Sequence, residues 1–507
     1  MAANRTTLAG FQLFLAGLVL GVSNFMVVLD TTIANVSVPH IAGGLGISST
    51  QGTWVITSYA VAEAITVPLT GWLAQRFGTV RTFAVAMAGF ALFSMLCGLS
   101  GSLATLVLFR IGQGLCGGPL MPLSQTLLLQ IFPKEKHAAA MGMWAMTTVV
   151  APIAGPILGG YISDNWSWPW IFFINLPIAA VCVFGVVRLL ARVETPTVKR
   201  SIDVIGLLLL ILSVGALQIM LDIGREHDWF SSGLVVGLAI VAAISFAVFL
   251  AWELTEDHPV VDLRVMRHRG FAVAVSALSF AFAAFFASVV IIPQWLQSSL
   301  GYTATEAGHV TAFTGVFAVI MSPIVARLST KVDPRGLVCF GILWLGVTSL
   351  LRTQWNTGAD FWTLALPQLA QGFGMPFFFV PLTTLALGAV RPEETASAAG
   401  LMNFMRTMSG AIGTSIATTA WDDYARVDRS ELVGLLNQPD QVMQTLQQQG
   451  FTAEQARGQI ERLVELQSIS LSTNHIFMVA AVVFVAAAMV IWLAPRPKGP
   501  VDTSAAH

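Results

Sequence analysis

Runs of about 20 mainly apolar residues recur along almost the whole chain, and this constrains its fold more than anything else. A helix rises about 1.5 Å per residue and the hydrocarbon core of a bilayer is about 30 Å thick, so each run is long enough to span it. Fourteen runs can be read, at 12–36, 53–74, 80–99, 103–130, 137–163, 168–190, 204–222, 232–253, 271–296, 305–328, 336–352, 361–389, 395–421 and 470–494. The first, from Phe11 to about Val36, is too long for the apolar core of a signal peptide and reads as a spanning helix. Of the 507 residues 55% are apolar and only 10% charged. A water-facing surface cannot be built from so few charges, so much of the surface must face lipid.

The loop charges give an orientation. With an even number of spans, alternate loops form two sets. One set, which includes Arg76, Arg81, Lys134, Lys136, Arg264, Arg327, Lys331 and Arg335, holds 18 of the 26 Lys and Arg residues. The other set, which includes Arg225, Arg352 and Arg426, holds six, and Arg110 and Arg406 fall inside spans. By the positive-inside rule both termini are expected in the cytoplasm. A net charge of −1 with no basic tail or patch argues against a nucleic-acid partner. The four cysteines, Cys97, Cys116, Cys182 and Cys339, sit in apolar runs with no CxxC spacing and read as small core residues. No metal or cofactor is expected.

An internal repeat divides the chain. Gln113-Gly114, Pro119, Pro122-Leu123, Thr126-Leu127, Pro133 and Glu135 return as Gln371-Gly372, Pro376, Pro381-Leu382, Thr384-Leu385, Pro392 and Glu394. The expected fold is all-α and integral to the membrane, in three parts. Residues 1–190 form a six-helix bundle, 191–262 a cytoplasmic connector with two inserted helices, and 263–507 a second six-helix bundle. Two related halves are the logic of a transporter that rocks around a midplane site. Residues 422–468, rich in Gln and acids, are expected as an outer loop, either a solvated cap or a docking surface for a partner outside the cytoplasm.

Several motifs sharpen this. Gly71-Trp72-Leu73-Ala74-Gln75-Arg76-Phe77-Gly78-Thr79-Val80-Arg81 resembles the loop signature of the major facilitator superfamily, with Gln75 where the family has Asp. As bare chemistry it is a glycine-turned, positively charged anchor. Arg110-Ile111-Gly112-Gln113-Gly114 resembles the family's fourth-helix motif. Its formal GxGxxG follows no strand, so the glycines are read as helix-packing positions and not as a dinucleotide site. Ala151-Pro152-Ile153-Ala154-Gly155-Pro156-Ile157-Leu158-Gly159-Gly160 resembles the fifth-helix signature of facilitator antiporters.

Leu29-Asp30-Thr31-Thr32-Ile33-Ala34-Asn35-Val36-Ser37-Val38-Pro39 resembles the first-helix signature of the fourteen-helix drug:proton antiporters. Gln51–Ser58, Ile162–Asn165 and Trp170–Asn175 look like the EmrB branch of that family. The resemblance covers nearly the whole chain. It implies a major facilitator fold with fourteen helices and multidrug efflux across the bacterial inner membrane, with the proton as coupling ion. It also implies a periplasmic adaptor of the EmrA type and an outer-membrane channel of the TolC type.

A charge inside a span costs about 2.5–3.5 kcal/mol on insertion scales, so each calls for a reason. Asp30, Glu63 and Arg110 are at similar depth in the first half and are the expected proton-coupling residues; the plain alternative is a static ion pair. Arg406, beside Asn403 and Phe404 in the second half, suits either an anionic substrate or packing. Asn35, Gln125, Met143, Trp144, Met146, Phe378, Asn403, Phe404 and Arg406 are the candidate cavity residues, because Met and aromatic side chains repack around different shapes. Gly71, Arg76, Gly78, Arg81, Gly155, Pro156, Gly159 and Gly160 are the candidate conformational positions. The expected function is proton-driven export of hydrophobic or amphipathic compounds. A proton-coupled importer shares the bulk features, with the fifth-helix signature against it; a non-transporting receptor is disfavoured by the intramembrane carboxylates and the internal repeat. A membrane enzyme is disfavoured, since no nucleophile–base or metal constellation is visible.

Overall fold

Local signals in the sequence set where the helices begin. Thr303 with Glu306, and Thr452 with Gln455, form reciprocal capping boxes. Asp203, Ser102, Asp333 and Asp360 cap other helix starts through their side chains. The computed structural model describes residues 10–198, 202–257, 259–436 and 439–496. Arg5, Lys199, Arg200 and Lys498 of the loop tally lie outside the described residues, as does the side chain of Pro156.

In the first half, α1 is Gly10–Leu45, α2 Trp54–Thr66, α3 Thr70–Phe77, α4 Thr79–Gly98, α5 Leu103–Gly117, α6 Leu120–Ile131, α7 His137–Asn165 and α8 Asn175–Leu190. The inserted pair is α9, Val204–Ile223, and α10, Gly233–Thr255. In the second half, α11 is Arg269–Leu300, α12 Ala304–Leu328, α13 Pro334–Arg352, α14 Phe361–Gly388, α15 Thr395–Leu435, α16 Pro439–Gln448 and α17 Ala453–Val490. Every expected span is mainly helical, some of them broken by short turns, and no strand occurs among the described residues.

The expected count of fourteen spans is not reproduced. Among the described residues eleven helices are long and apolar enough to cross a membrane, or twelve if a pair bent by 43° within α7 is one span. The other two segments fail for physical reasons. The 53–74 segment is split between α2 and α3 around Val67, Pro68 and Leu69, and α15 carries too many polar residues along its 41 residues. The 422–468 segment is also not mainly a loop: α15 and α17 extend into it as helix and pack together, with α16 between them.

The end of the bundle that carries Arg76, Lys134, Lys136 and Arg327 is called the basic end here. The closest approaches of the two halves gather towards it. A Cβ on Gly71 would lie 2.8 Å from the Ser397 backbone, and one on Gly400 3.0 Å from the Val67 carbonyl. A Cβ on Gly142 would lie 3.2 Å from Ala326. Only glycine lets backbones of opposite halves come this close. The inserted helices sit at the side: α9 packs on α2, and the Ser415 hydroxyl of α15 donates to the Leu221 carbonyl at 3.1 Å.

Candidate functional site

Five helices of the first half converge on Asp30. Asp30 is 2% exposed, on α1, and Arg110 is fully buried, on α5. Arg110 Nη1 donates to Asp30 Oδ2 at 2.8 Å. Gln113 Nε2 donates to Asp30 Oδ1 at 3.0 Å, and Asn175 Nδ2 of α8 donates to the same oxygen at 2.6 Å. Asn175 also donates to Ser94 Oγ of α4 at 3.1 Å. Arg110 Nε donates to the Val55 carbonyl of α2 at 3.0 Å, and its guanidinium lies 4.2 Å from the Tyr59 ring centre.

Desolvating two charges is costly, and the mutual attraction offsets that cost only when the remaining lone pairs and protons are bonded. Here Gln113, Asn175 and the Val55 carbonyl supply most of those bonds, though Arg110 Nη2 has no partner. Asp30 Oδ1 thus accepts from two donors and Oδ2 from one.

Glu63 is at the same level but outside this network. It is half-buried on α2 and makes no ion pair among the described residues. Arg406 on α15 is 8% exposed. Its guanidinium is 5.6 Å from the ring centres of both Trp144, on α7, and Phe282, on α11, and its Nη2 contacts Met121 Sδ. One turn away, Asn403 Nδ2 donates to Gln125 Oε1 of α6 at 2.6 Å. Trp144 Nε1 donates to Ser124 Oγ at 2.9 Å. Met121, Gln125, Trp144, Phe282, Asn403 and Arg406 thus form a polar and aromatic seam between the halves.

The other expected cavity residues are placed differently. Met143 packs towards Gly17 on α1, and Phe378 is fully buried within the second half against Phe282 and Gly341. Asn35 is exposed; Met146 and Phe404 are half-buried. The fifth-helix glycines face α1: Cβ atoms there would lie 2.6 Å from Thr32 Cβ at Gly155 and 3.1 Å from the Ile33 carbonyl at Gly159. At Gly160 the nearest atom would be Thr305 Oγ1 at 3.8 Å, an ordinary contact with the second half.

At the basic end, Gly78 has φ +92°, a region that favours glycine. Its missing Cβ makes room for Glu194, whose carboxylate accepts from the backbone N–H groups of Val80 and Arg81, both at 2.9 Å. Thr195 Oγ1 accepts from Thr79 N–H at 3.0 Å. The segment after α8 therefore caps the N-terminus of α4. Arg81 itself is exposed, 4.0 Å from Glu194, and Arg76 is half-buried.

Sequence reading missed Asn175, Glu194, Met121 and Phe282 as site residues, and it counted Arg352 among outer-loop charges. Arg352 is buried, 1% exposed, at the end of α13. Gln368 and Gln371, three apart on one face of an apolar helix, were the available signal for it.

These features define a class. The Major Facilitator Superfamily family model matches residues 20–414, and the chain belongs to that superfamily. It is a multi-pass membrane transporter. Within the superfamily it is EmrB-like: it is 45% identical over 497 residues to the multidrug export protein EmrB of Escherichia coli strain K12, covering 97% of each chain. It is 42% identical over 494 residues to the fatty acid resistance protein FarB of Neisseria gonorrhoeae, again covering 97% of each. The fold matches the solved proton:xylose symporter XylE with a TM-score of 0.60 at 13% identity, covering 96% of this chain and 97% of that one.

Proposed function

We propose that this chain exports hydrophobic or amphipathic compounds, drugs among them, across the bacterial inner membrane in exchange for protons. The observation that carries the coupling is Asp30, buried in a network drawn from five helices and paired with Arg110. Proton uptake at Asp30 would remove its charge pairing with Arg110 inside a network that joins five helices, so it is tied to helix movement. The helix that bears the fifth-helix signature, α7, packs on α1 next to Asp30 at Thr32 and Ile33. A change at Asp30 is thereby felt by α7, which also packs on α12 of the second half. Glu63 on α2 and Arg406 on α15, one from each half, are where a second proton-linked charge change would bias the halves apart or together.

In this reading the basic end faces the cytoplasm, both termini lie there, and the halves alternate in access about the seam. Arg406 with Trp144, Phe282 and Met121 suits amphipathic compounds with an aromatic or anionic part. The helical hairpin of α15 and α17 projects on the opposite side, where an EmrA-like adaptor and a TolC-like channel would complete a tripartite pump.

The test uses energised inverted vesicles and a lipophilic fluorescent substrate, wild type beside Asp30→Asn. Uptake that nigericin and the mutation both remove is the expected result. Uptake that survives nigericin, valinomycin and the mutation overturns proton-coupled export.

A further inference from the structure

The second half contains a buried cation with no counter-charge. Arg352 is 1% exposed. Its Nη2 donates to Gln368 Oε1 at 2.9 Å and also to Gln371 Oε1. The Trp355 and Phe477 ring centres lie 6.0 and 5.9 Å from its guanidinium carbon. Its Nε has no hydrogen-bond acceptor, and neither does Gln368 Nε2; both atoms are buried. Among the described residues no carboxylate pairs with it, and α11, α13 and α14 contain no Asp or Glu at all.

The first half shows what such a guanidinium ordinarily receives. The repeat aligns Gln113-Gly114 with Gln371-Gly372. Gln113 Oε1 accepts from buried Arg110 at 2.8 Å, as Gln371 Oε1 accepts from buried Arg352. In the first half Asp30, from the opening helix, neutralises the cation. The opening helix of the second half, α11, has no acid to offer. A guanidinium keeps its proton in proteins, so burial without a partner leaves a full charge in an apolar setting. Two unfilled N–H donors beside that charge point to an anion as the missing partner.

We infer that Arg352 and Gln368, with Gln371, form a binding site for a small inorganic anion of the halide class. Two free donors, one of them on a guanidinium flanked by the Trp355 and Phe477 rings, suit a compact monoanion; a phosphate or sulfate group calls for more donors than this site presents. The bound anion neutralises Arg352 and steadies the junction of α13, α14 and α17 at the end of the second half away from the basic end. This site is separate from Asp30, Glu63 and Arg406, so it stands whether or not proton-coupled export does.

The experiment is thermal unfolding of the full-length protein in detergent micelles as gluconate is replaced by chloride, or by bromide, at constant ionic strength. A saturable rise of a few degrees by about 100 mM halide is expected, since a ligand that binds only the folded state stabilises it. Gln368→Glu puts a carboxylate where the amide oxygen sits 2.9 Å from Arg352 Nη2, and it is expected to unfold at one temperature in both salts. Arg352→Gln, which removes the cation, is expected to lose the dependence as well. A wild type indifferent to the exchange overturns the proposal, and so does a full halide response in both variants. Bromide in crystals of the unmodified protein is expected beside Arg352 by anomalous scattering; bromide found only elsewhere also overturns it.

Discussion

Asp30 and Arg110 are 80 residues apart in the chain and meet at 2.8 Å in the middle of the first half. Each is nearly or wholly withdrawn from solvent. Removing one partner of such a pair leaves the other charge buried, which typically costs about 3–5 kcal/mol. Asp30→Asn is therefore expected to abolish coupled export and to lower the unfolding temperature. Pairing it with Arg110→Gln removes the stranded charge, so stability should recover while transport stays absent. Return of transport in the double variant would make the pair a purely structural one.

Glu63 differs because no hydrogen-bond network holds it. Glu63→Gln is expected to fold and unfold like wild type, within about 0.5 kcal/mol, yet to lose most drug-driven proton release. Proton release measured with a pH-sensitive dye in proteoliposomes checks this. Wild-type release would remove Glu63 from the coupling scheme.

Gly71 lets α3 lie against Ser397 of the opposite half. Gly71→Ala is expected to push the basic end apart and to slow export about tenfold, a barrier change of about 1.4 kcal/mol. Ser397→Gly relieves the side-chain part of the clash and should restore part of the rate. Initial export rates of the three proteins decide the matter.

Glu194 caps α4 through two backbone N–H groups at a helix N-terminus. Glu194→Ala is expected to cost about 1 kcal/mol of stability. Glu194→Gln retains acceptors but not charge and should cost less. Thermal unfolding of both variants measures the difference.

Asp428 lies on the part of α15 beyond the 395–421 segment, 6% exposed, with His475 Nδ1 3.5 Å from its Oδ2. Burial pushes its carboxyl pKa up, and His475 opposes this. A raised carboxyl favours the protonated form in the folded state, so its contribution is present at low pH and is lost as pH rises through the folded value. Asp428→Asn, which mimics that form, is expected to raise the unfolding temperature more at pH 7.5 than near pH 4. An equal shift at both pH values would contradict this.

Much of this molecule was legible as sequence because lipid imposes simple one-dimensional rules. Length and apolarity marked fourteen segments, and eleven or twelve of them coincide with described helices long and apolar enough to cross a membrane. The cost of charge in lipid singled out Asp30, Glu63, Arg110 and Arg406 in advance. The rules weakened where polar residues and proline interrupt the pattern, as in the break between α2 and α3 and in the long α15. The composition of 422–468 suggested a loop and did not reveal that α15 and α17 continue as packed helices into that segment.

Sequence alone determined that the chain is an all-helical membrane protein, and which charges needed a reason to be there. Only the tertiary structure decided which partners those charges have. Asn175 is 145 residues from Asp30 and Gln125 is 278 residues from Asn403, and no local periodicity encodes such pairings. They arise when helices pack, because a buried donor or acceptor must find its partner on whichever neighbour the packing brings within about 3 Å. Arg352 makes the same point: its place in the sequence suggested a loop, and packing buried it between two glutamines.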